Sequence, residues 1–361
     1  MQIDALGKHL GGRERAQIVW DCYSIGIDPA DYYGSIHLGY DDFETIMNLM
    51  PRRAQKLNSE TLEKLAALYP QGGKVEGGVA KLSYLSKSSD STTKIKLTLA
   101  DGLQVETVII PTKGEQSTLC VSSQVCATEK MGKLRSLTSS EILAQLFFAK
   151  KLCRLEGLPE ITNIVFTGMG DAADNIEHVV EATRIMTTRE LFQLSSSKVT
   201  VSTAGASPET FKAFAEAPCV IAWSVHAAND EVRRQLVPST KHTMEELREG
   251  LIGAMLERPM NGRSLVLEVT LIKGINESLK EAEELASFAE VIVERAAGCR
   301  VIVNLTPYNT IGSSVEFGEN EYQRPDDKVV LAFQKHLQGR GLFSHVRTTR
   351  GDKKSGQLAT K

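Results

Sequence analysis

The 361-residue chain carries 42 lysines and arginines against 45 aspartates and glutamates, with 42% hydrophobic and 24% charged residues. This balance is ordinary for a folded soluble protein. The net charge of −3 excludes a globally basic nucleic-acid binder, so any such contact needs a local basic surface. No apolar run reaches membrane-spanning length, and the N-terminus lacks a signal-peptide pattern. A cytoplasmic protein is therefore expected, or an organellar one whose presequence has been removed. The six cysteines (Cys22, Cys120, Cys126, Cys153, Cys219, Cys299) have no paired spacing, which fits a reducing compartment and argues against a disulfide framework.

The length allows one barrel-sized domain plus a smaller one. Residues 1–75 read as a helical domain. Arg13 to Ile25 places Ala16, Ile18, Val19 and Tyr23 on one helical face. Further helices are predicted over 35–50 and 59–69, punctuated by Asp28-Pro29 and Pro51. A plain packing module meets this pattern as well as a binding role does. Gly72-Gly73 and Gly77-Gly78 mark a break before residues 76–112. There Ala80–Leu85, Lys94–Leu99 and Val105–Pro111 form a β-meander, with Asp101-Gly102 as a strong hairpin signal.

Residues 113–361 alternate strand and helix. The first strand is predicted over Leu119–Val125. Thr138-Ser-Ser-Glu141 is a capping box that launches a helix to Leu155. Strands follow at 163–167, 198–202, 220–224, 265–272, 301–305 and 343–346. Helices at 175–188, 208–216, 244–257, 279–297 and 326–338 separate them. The fold class is α/β, and six or so parallel βα units suggest a partial (β/α)6 barrel, with a doubly wound sheet as the alternative. Residues 312–320 read as one long loop.

Polar residues collect where these strands end. Gly168-Met-Gly170-Asp171 gives a ligand room to approach the backbone and a carboxylate to accept from an ammonium group; a tight βα turn explains it equally. Ser202-Thr-Ala-Gly205 ends the next strand, and serine there is also an ordinary cap. Ser224-Val225-His226-Ala227 and Asn304-Leu-Thr-Pro-Tyr-Asn309 end two more. In a barrel these four ends converge on one mouth.

The stretch Thr118-Leu-Cys-Val-Ser-Ser-Gln-Val-Cys126, continuing to Gly132, resembles the first strand and cofactor loop of the RlmN/Cfr-type adenine methyltransferases. These are radical-SAM enzymes acting on ribosomal and transfer RNA. The resemblance runs from the helical N-terminus to Gly356-Gln357-Leu358. It implies a radical-SAM-type partial barrel, an N-terminal domain that helps hold RNA, and S-adenosylmethionine (SAM) at Gly170, Asp171, Ser202, Ser224, Val225, His226 and Asn309. It also implies a [4Fe–4S] cluster on three loop cysteines. Here Cys126 matches the third of those ligands and the segment with the other two is absent, so the cluster is expected to be missing. Glu106 and Cys120 match the family's acid/base and resolving pair. Ser355 stands where the family carries its methyl group on a cysteine, and a serine oxygen is a far weaker nucleophile than a thiolate. Asp171-Ala172 replaces Glu-Pro, shortening the acid by one methylene.

Two basic groups, one of Lys130, Lys133 and Arg135, the other of Arg347, Arg350, Lys353, Lys354 and Lys361, are a solvated face or a phosphate-holding rim. The expectation is a monomeric, membrane-free relative of these enzymes. It binds ribosomal or transfer RNA, or serves as an assembly factor, without radical chemistry. The alternative is a working methyltransferase whose sequence here is a splice form or a faulty gene model.

Overall fold

Period-two alternation of Ile, Leu and Val with Lys and Thr builds the strands, and capped amphipathic runs build the helices. The computed structural model describes residues 3–29, 52–54, 57–68, 78–112, 116–126, 133–309 and 322–347. The predicted helix at 35–50 and the loop at 312–320 lie outside them. The chain divides into two compact units: Met1–Lys87, Ser91–Gly170 and Glu177–Val199 form one, while Ser88–Asp90, Asp171–Ile176 and Thr200–Lys361 form the other. Among the described residues no helix is long and apolar enough to cross a membrane.

The first unit opens with helices α1 (Ile3–Leu10), α2 (Arg13–Tyr23) and α3 (Ser59–Ala66). Ala16, Ile18 and Val19 of α2 are buried, as the helical spacing predicts, whereas Tyr23 is half-buried and Cys22 takes the buried place. The helix stops at Tyr23 because Gly26, at φ 77°, turns the chain. Strands β1 (Ala80–Lys87), β2 (Thr93–Leu99) and β3 (Gln104–Thr112) form the expected antiparallel meander. β4 (Gln116–Cys120) pairs antiparallel with β3, and a short ribbon of β5 (Gln124–Cys126) and β6 (Lys133–Ser136) follows. Helix α4 (Ser139–Leu155) then crosses to β7 (Glu160–Phe166), which is parallel to β4. Its capping box is formed as predicted: Thr138 accepts from the Glu141 N–H, and the Glu141 carboxylate accepts from the Thr138 N–H. Helix α5 (Ile176–Thr187) follows.

One expectation is corrected here. The strand predicted to run to Val125 ends at Cys120, because the next residues turn their hydrogen bonds toward the turn after β7. Gly168 donates to the Val121 carbonyl at 3.0 Å, and the Ser123 and Gln124 N–H groups point at the Met169 carbonyl, at 3.2 and 3.3 Å. Ser122 is the centre of this crossing and is fully buried. Its N–H donates to Gln145 Oε1 at 2.8 Å, and its carbonyl accepts from Gln145 Nε2 at 2.9 Å. Its hydroxyl accepts from the Met169 N–H at 2.9 Å and donates to the Glu106 carbonyl at 2.7 Å.

The second unit carries β8 (Val199–Thr203), α6 (Pro208–Ala213), β9 (Val220–Ser224), α7 (Asp230–Leu236) and α8 (Met244–Glu257). It continues with β10 (Ser264–Leu271), α9 (Leu279–Arg295), β11 (Arg300–Pro307), α10 (Asp327–Gly339) and β12 (Phe343–Val346). The five strands lie side by side in chain order, every pair parallel. This is the α/β class with parallel βα units that the sequence predicted. Leu265, Leu267, Val269 and Leu271 bury one face of β10. Trp223 packs edge-on against Phe211 of α6 at 5.0 Å between ring centres, and at a tilt against Phe288 of α9 at 5.7 Å. Helix α7 was not predicted, since its one buried residue is Arg233 and it shows no apolar period; Asn229 starts it by accepting from the Val232 N–H.

Ser122→Ala removes one acceptor and one donor from a site without solvent. We expect it to lower the unfolding free energy by about 1–3 kcal/mol, read from urea titration. A change under about 0.5 kcal/mol, the level of an ordinary surface substitution, would contradict the bonding described.

Candidate functional site

Parallel sheets buried on both faces read as near-continuous apolar runs. The second unit departs from this. β10 and β11 alternate strictly between buried and partly exposed residues, so one face of the sheet is polar. In register across four neighbouring strands that face carries Ser224, Glu268, Asn304 and His345. Thr270 pairs with Thr306 in the row toward the strand ends, and Ser202 pairs with Ala222 in the row before. Three of the residues assigned to SAM by resemblance, Ser202, Ser224 and Asn309, thus lie on this face or just past β11. Sequence reasoning missed Glu268. The signal was a lone carboxylate inside an otherwise apolar strand pattern.

The turns after the strands are tied by side chains. Asp171 Oδ1 accepts from the Ala173 N–H at 2.8 Å, and Oδ2 accepts from the Ala204 N–H at 2.7 Å. Both carboxylate oxygens therefore serve backbone, and Asp171 acts as a cap that holds the turn after β8. Its shortness relative to Glu suits that task. Arg233, also missed, is fully buried. It donates to the carbonyls of Ser224 at 2.5 Å, Val225 at 3.0 Å and Ala204. Burial pushes its pKa down to about 10, and its Nε has no partner among the described residues.

His226 sits just past β9 at φ 53°. Its N–H donates to the Glu268 carbonyl at 3.3 Å, and its Nδ1 accepts from the Thr270 N–H at 3.1 Å. Asn276 closes the arrangement, donating to the carbonyls of His226 and Thr270, both at 2.8 Å. Burial first, and then the nearby Arg233 charge, push His226 down to about 3. A neutral ring locked this way is a splice between β9 and β10, its Nδ1 lone pair spent on backbone and its one proton on Nε2. Val225 is fully buried beside it.

The glycines of Gly168-Met-Gly170 belong to the first unit. A Cβ at Gly168 would lie 2.5 Å from Ser122 Oγ, and one at Gly170, where φ is 87°, would lie 2.4 Å from Gln124 Oε1. The room that the sequence suggested for a ligand is filled by the chain's own Ser122 and Gln124.

Glu106 and Cys120 share one face of the meander sheet, in adjacent cross-strand rows: Tyr84, Lys96 and Glu106 align, and so do Ser86, Lys94, Val108 and Cys120. Glu106 is clamped by Lys94 Nζ at 2.6 Å and Lys96 Nζ at 2.9 Å. Burial alone would raise its carboxyl, but the two lysines hold it below the usual range. Its charged form is thereby favoured, as an acceptor for the two lysines. Cys120 is buried, and its carbonyl accepts from Thr107 Oγ1 at 2.5 Å.

Cys126 closes β5, and its side chain lies outside the described residues. Cys22, Cys120, Cys153, Cys219 and Cys299 are buried. Burial pushes Cys22 up to about 12 and Cys153, Cys219 and Cys299 up to about 11, so these four stay protonated thiols. Of the basic groups, Arg135 is held by Asp101 at 2.7 Å and by Glu141 at 2.7 Å, which leaves it little charge for a phosphate. Arg347 lies 3.8 Å from Glu268. Ser355, Lys130, Arg350, Lys353, Lys354 and Lys361 lie outside the described residues, as does the side chain of Lys133.

His226 has a folded pKa far below its unfolded value of 6.5. Its neutral form stabilises the fold above that value, and the contribution is lost as pH falls below it. Between pH 6.5 and 4.5 the wild type is expected to lose about 1–2 kcal/mol more unfolding free energy than His226→Asn, since asparagine tolerates the positive φ. Parallel losses in denaturant titrations at the two pH values would show that the imidazole does not titrate on unfolding.

No protein-family model matches the chain. It is 34% identical over 325 residues to the Dual-specificity RNA methyltransferase RlmN of Marinobacter nauticus, spanning 87% of this chain and 80% of that protein. It is 36% identical over 281 residues to the RlmN of Syntrophobacter fumaroxidans, spanning 75% and 77%. Among solved structures, a radical SAM methyltransferase from Sphaerobacter thermophilus matches with a TM-score of 0.73 at 27% identity, covering 97% of this chain and 94% of that one. Alignment over most of both partners, with the same fold at that score, makes the chain a member of the RlmN-type radical SAM methyltransferase family.

Proposed function

We propose that this protein keeps the nucleoside pocket and RNA-facing scaffold of the RlmN-type family without its radical chemistry. In this reading it serves as an RNA-binding or ribosome-assembly factor, with residues 1–75 as the accessory RNA-holding part. Two cofactors are implied by the family, and the side chains fit only one of them.

A radical-SAM cluster takes three thiolates from one site. The sequence has no cysteine within five residues on either side of Cys126. The other five cysteines are buried on separate elements, and the described residues hold no group of three or more His, Cys, Asp or Glu that suits a metal ion. This donor set does not fit [4Fe–4S]. SAM is different. The polar face of the second unit offers Ser224, Glu268 and Asn304 in register, with Ser202 one row before them, a hydrogen-bonding set that fits a nucleoside. SAM bound there would supply an activated methyl group; Ser224 and Asn304 would orient it. The single observation that carries the proposal is this pairing of an intact polar face with dispersed, protonated thiols.

The test is iron and sulfide analysis of anaerobically purified and reconstituted protein. We expect far less than one [4Fe–4S] per chain, together with RNA retention that weakens steeply as salt is raised. Stoichiometric cluster with SAM cleavage would defeat the proposal. The retained Glu106 and Cys120, on one sheet face, favour a second reading: a working RNA adenine methyltransferase whose sequence here is a splice form or faulty gene model. Transcripts that restore cysteine codons after Val125 and after Asp352 would establish it.

A further inference from the structure

Glu268 is an anomaly that the family resemblance does not use. It sits in the interior of a strand, with its side chain only 19% exposed. A carboxylate so placed is costly unless its oxygens are satisfied. Oε1 accepts from Asn304 Nδ2 at 3.0 Å. Oε2 has only Arg347 Nη1 at 3.8 Å, beyond hydrogen-bond distance. An ionised carboxylate offers about four lone-pair sites, and one bond is made. Burial accordingly raises its pKa, with Arg347 and Asn304 opposing the shift. The structure therefore maintains an acceptor in the middle of a polar sheet face and leaves one of its oxygens without a hydrogen-bond donor among the described residues.

The neighbours define what could supply the donors. Ser224 and Asn304 flank Glu268 in register on the adjoining strands. Strands lie about 4.8 Å apart, so this row spans roughly 10 Å, about the length of a nucleoside. Serine and asparagine donate and accept, whereas the carboxylate only accepts. A ligand matched to the centre of the row must bring donors to one carboxylate oxygen, without a positive charge that would compete with Arg347. Two adjacent hydroxyls meet that requirement, and a ribose carries them.

We infer that Glu268, flanked by Ser224 and Asn304, is the subsite that grips the vicinal diol of a nucleoside ribose. The inference rests on the nucleoside-pocket reading above and assigns it a residue. The ligand in that reading is SAM, with S-adenosylhomocysteine as its stable stand-in. Arg347 is then a positioning residue: its charge opposes the rise that burial causes in the Glu268 pKa, and at 3.8 Å it is too far to occupy Oε2.

Calorimetric titration of the full chain with S-adenosylhomocysteine, adenosine and 2′-deoxyadenosine tests this. The wild type is expected to bind adenosine about 10-fold or more tightly than 2′-deoxyadenosine, the value of one charged hydrogen bond. Glu268→Gln should weaken S-adenosylhomocysteine by about 10–100-fold and abolish the preference for the 2′-hydroxyl, at an unchanged melting temperature. A structural role alone would not remove that preference. If the wild type binds S-adenosylhomocysteine but does not distinguish the two nucleosides, or the variant still distinguishes them, the diol assignment is overturned and the pocket stands. Adenosine discrimination without S-adenosylhomocysteine binding upholds the assignment and removes SAM as the ligand. Should none of the three bind the wild type, both the pocket and its subsite are refuted.

Discussion

Every polar group of Ser122 is committed, and the first unit is organised around that fact. Its N–H and carbonyl form a closed pair with the Gln145 amide of α4, while its hydroxyl joins β3 to the turn after β7. Four stretches distant in sequence are brought to one residue, in a place water does not reach. The hydroxyl must accept and donate at once, which alanine cannot do, and leaving either partner orphaned costs more than the bond itself contributes. The constraint passes outward. Gly168 has to be glycine because Ser122 occupies the space of its Cβ, and the pairing with β7 cannot continue beyond Val121 because the amides of Ser122, Ser123 and Gln124 are used elsewhere.

The second unit solves a related problem with a cation. Arg233 lies fully buried without a carboxylate partner among the described residues, its charge met by three carbonyls from the ends of β8 and β9. Desolvating a guanidinium costs several kcal/mol, and fixed carbonyl dipoles, with the Trp223 ring 6.0 Å away, offset it. The turns that supply those dipoles are therefore held in one geometry before any ligand arrives, which is the preorganisation a binding site needs. Asp171 and Asn276 act in the same sense at neighbouring turns. Residues that resemblance assigns to the ligand thus include some, Asp171 and His226, whose hydrogen bonds are spent on the backbone that frames it.

Much of this was legible in the sequence where local chemistry decides. The capping box at Thr138 and Glu141, the Asp101-Gly102 turn and the strands at 220–224 and 343–346 follow from side-chain period and turn residues alone. What was not legible depends on distant partners. Val121, Val125 and the residues between them continue an apolar-polar alternation on paper, yet all five are buried, because the polar ones find partners 20 to 50 residues away in sequence. Helix α7 shows no apolar stripe, since its buried side chain is an arginine. Glu268 is plain in the sequence but gains meaning only when the register sets it beside Ser224 and Asn304.

These same contacts also separate the polar face of the second unit from the cysteines. Among the described residues, the bonds that fix the polar face are made by nitrogen and oxygen: Arg233 holds carbonyls, Asn276 holds a histidine turn, and Asn304 holds Glu268. The buried cysteines contribute as small apolar side chains, a role that neither a cluster nor an oxidant is needed to sustain. Cysteines that only ligate a cluster sit on a loop, where backbone is already solvent-satisfied and losing them removes no packing. The strand-end hydrogen bonds therefore hold the polar face without help from a loop thiol. The polar face and the buried cysteines are thus separate parts of the structure, and a substitution at one leaves the hydrogen bonds of the other in place.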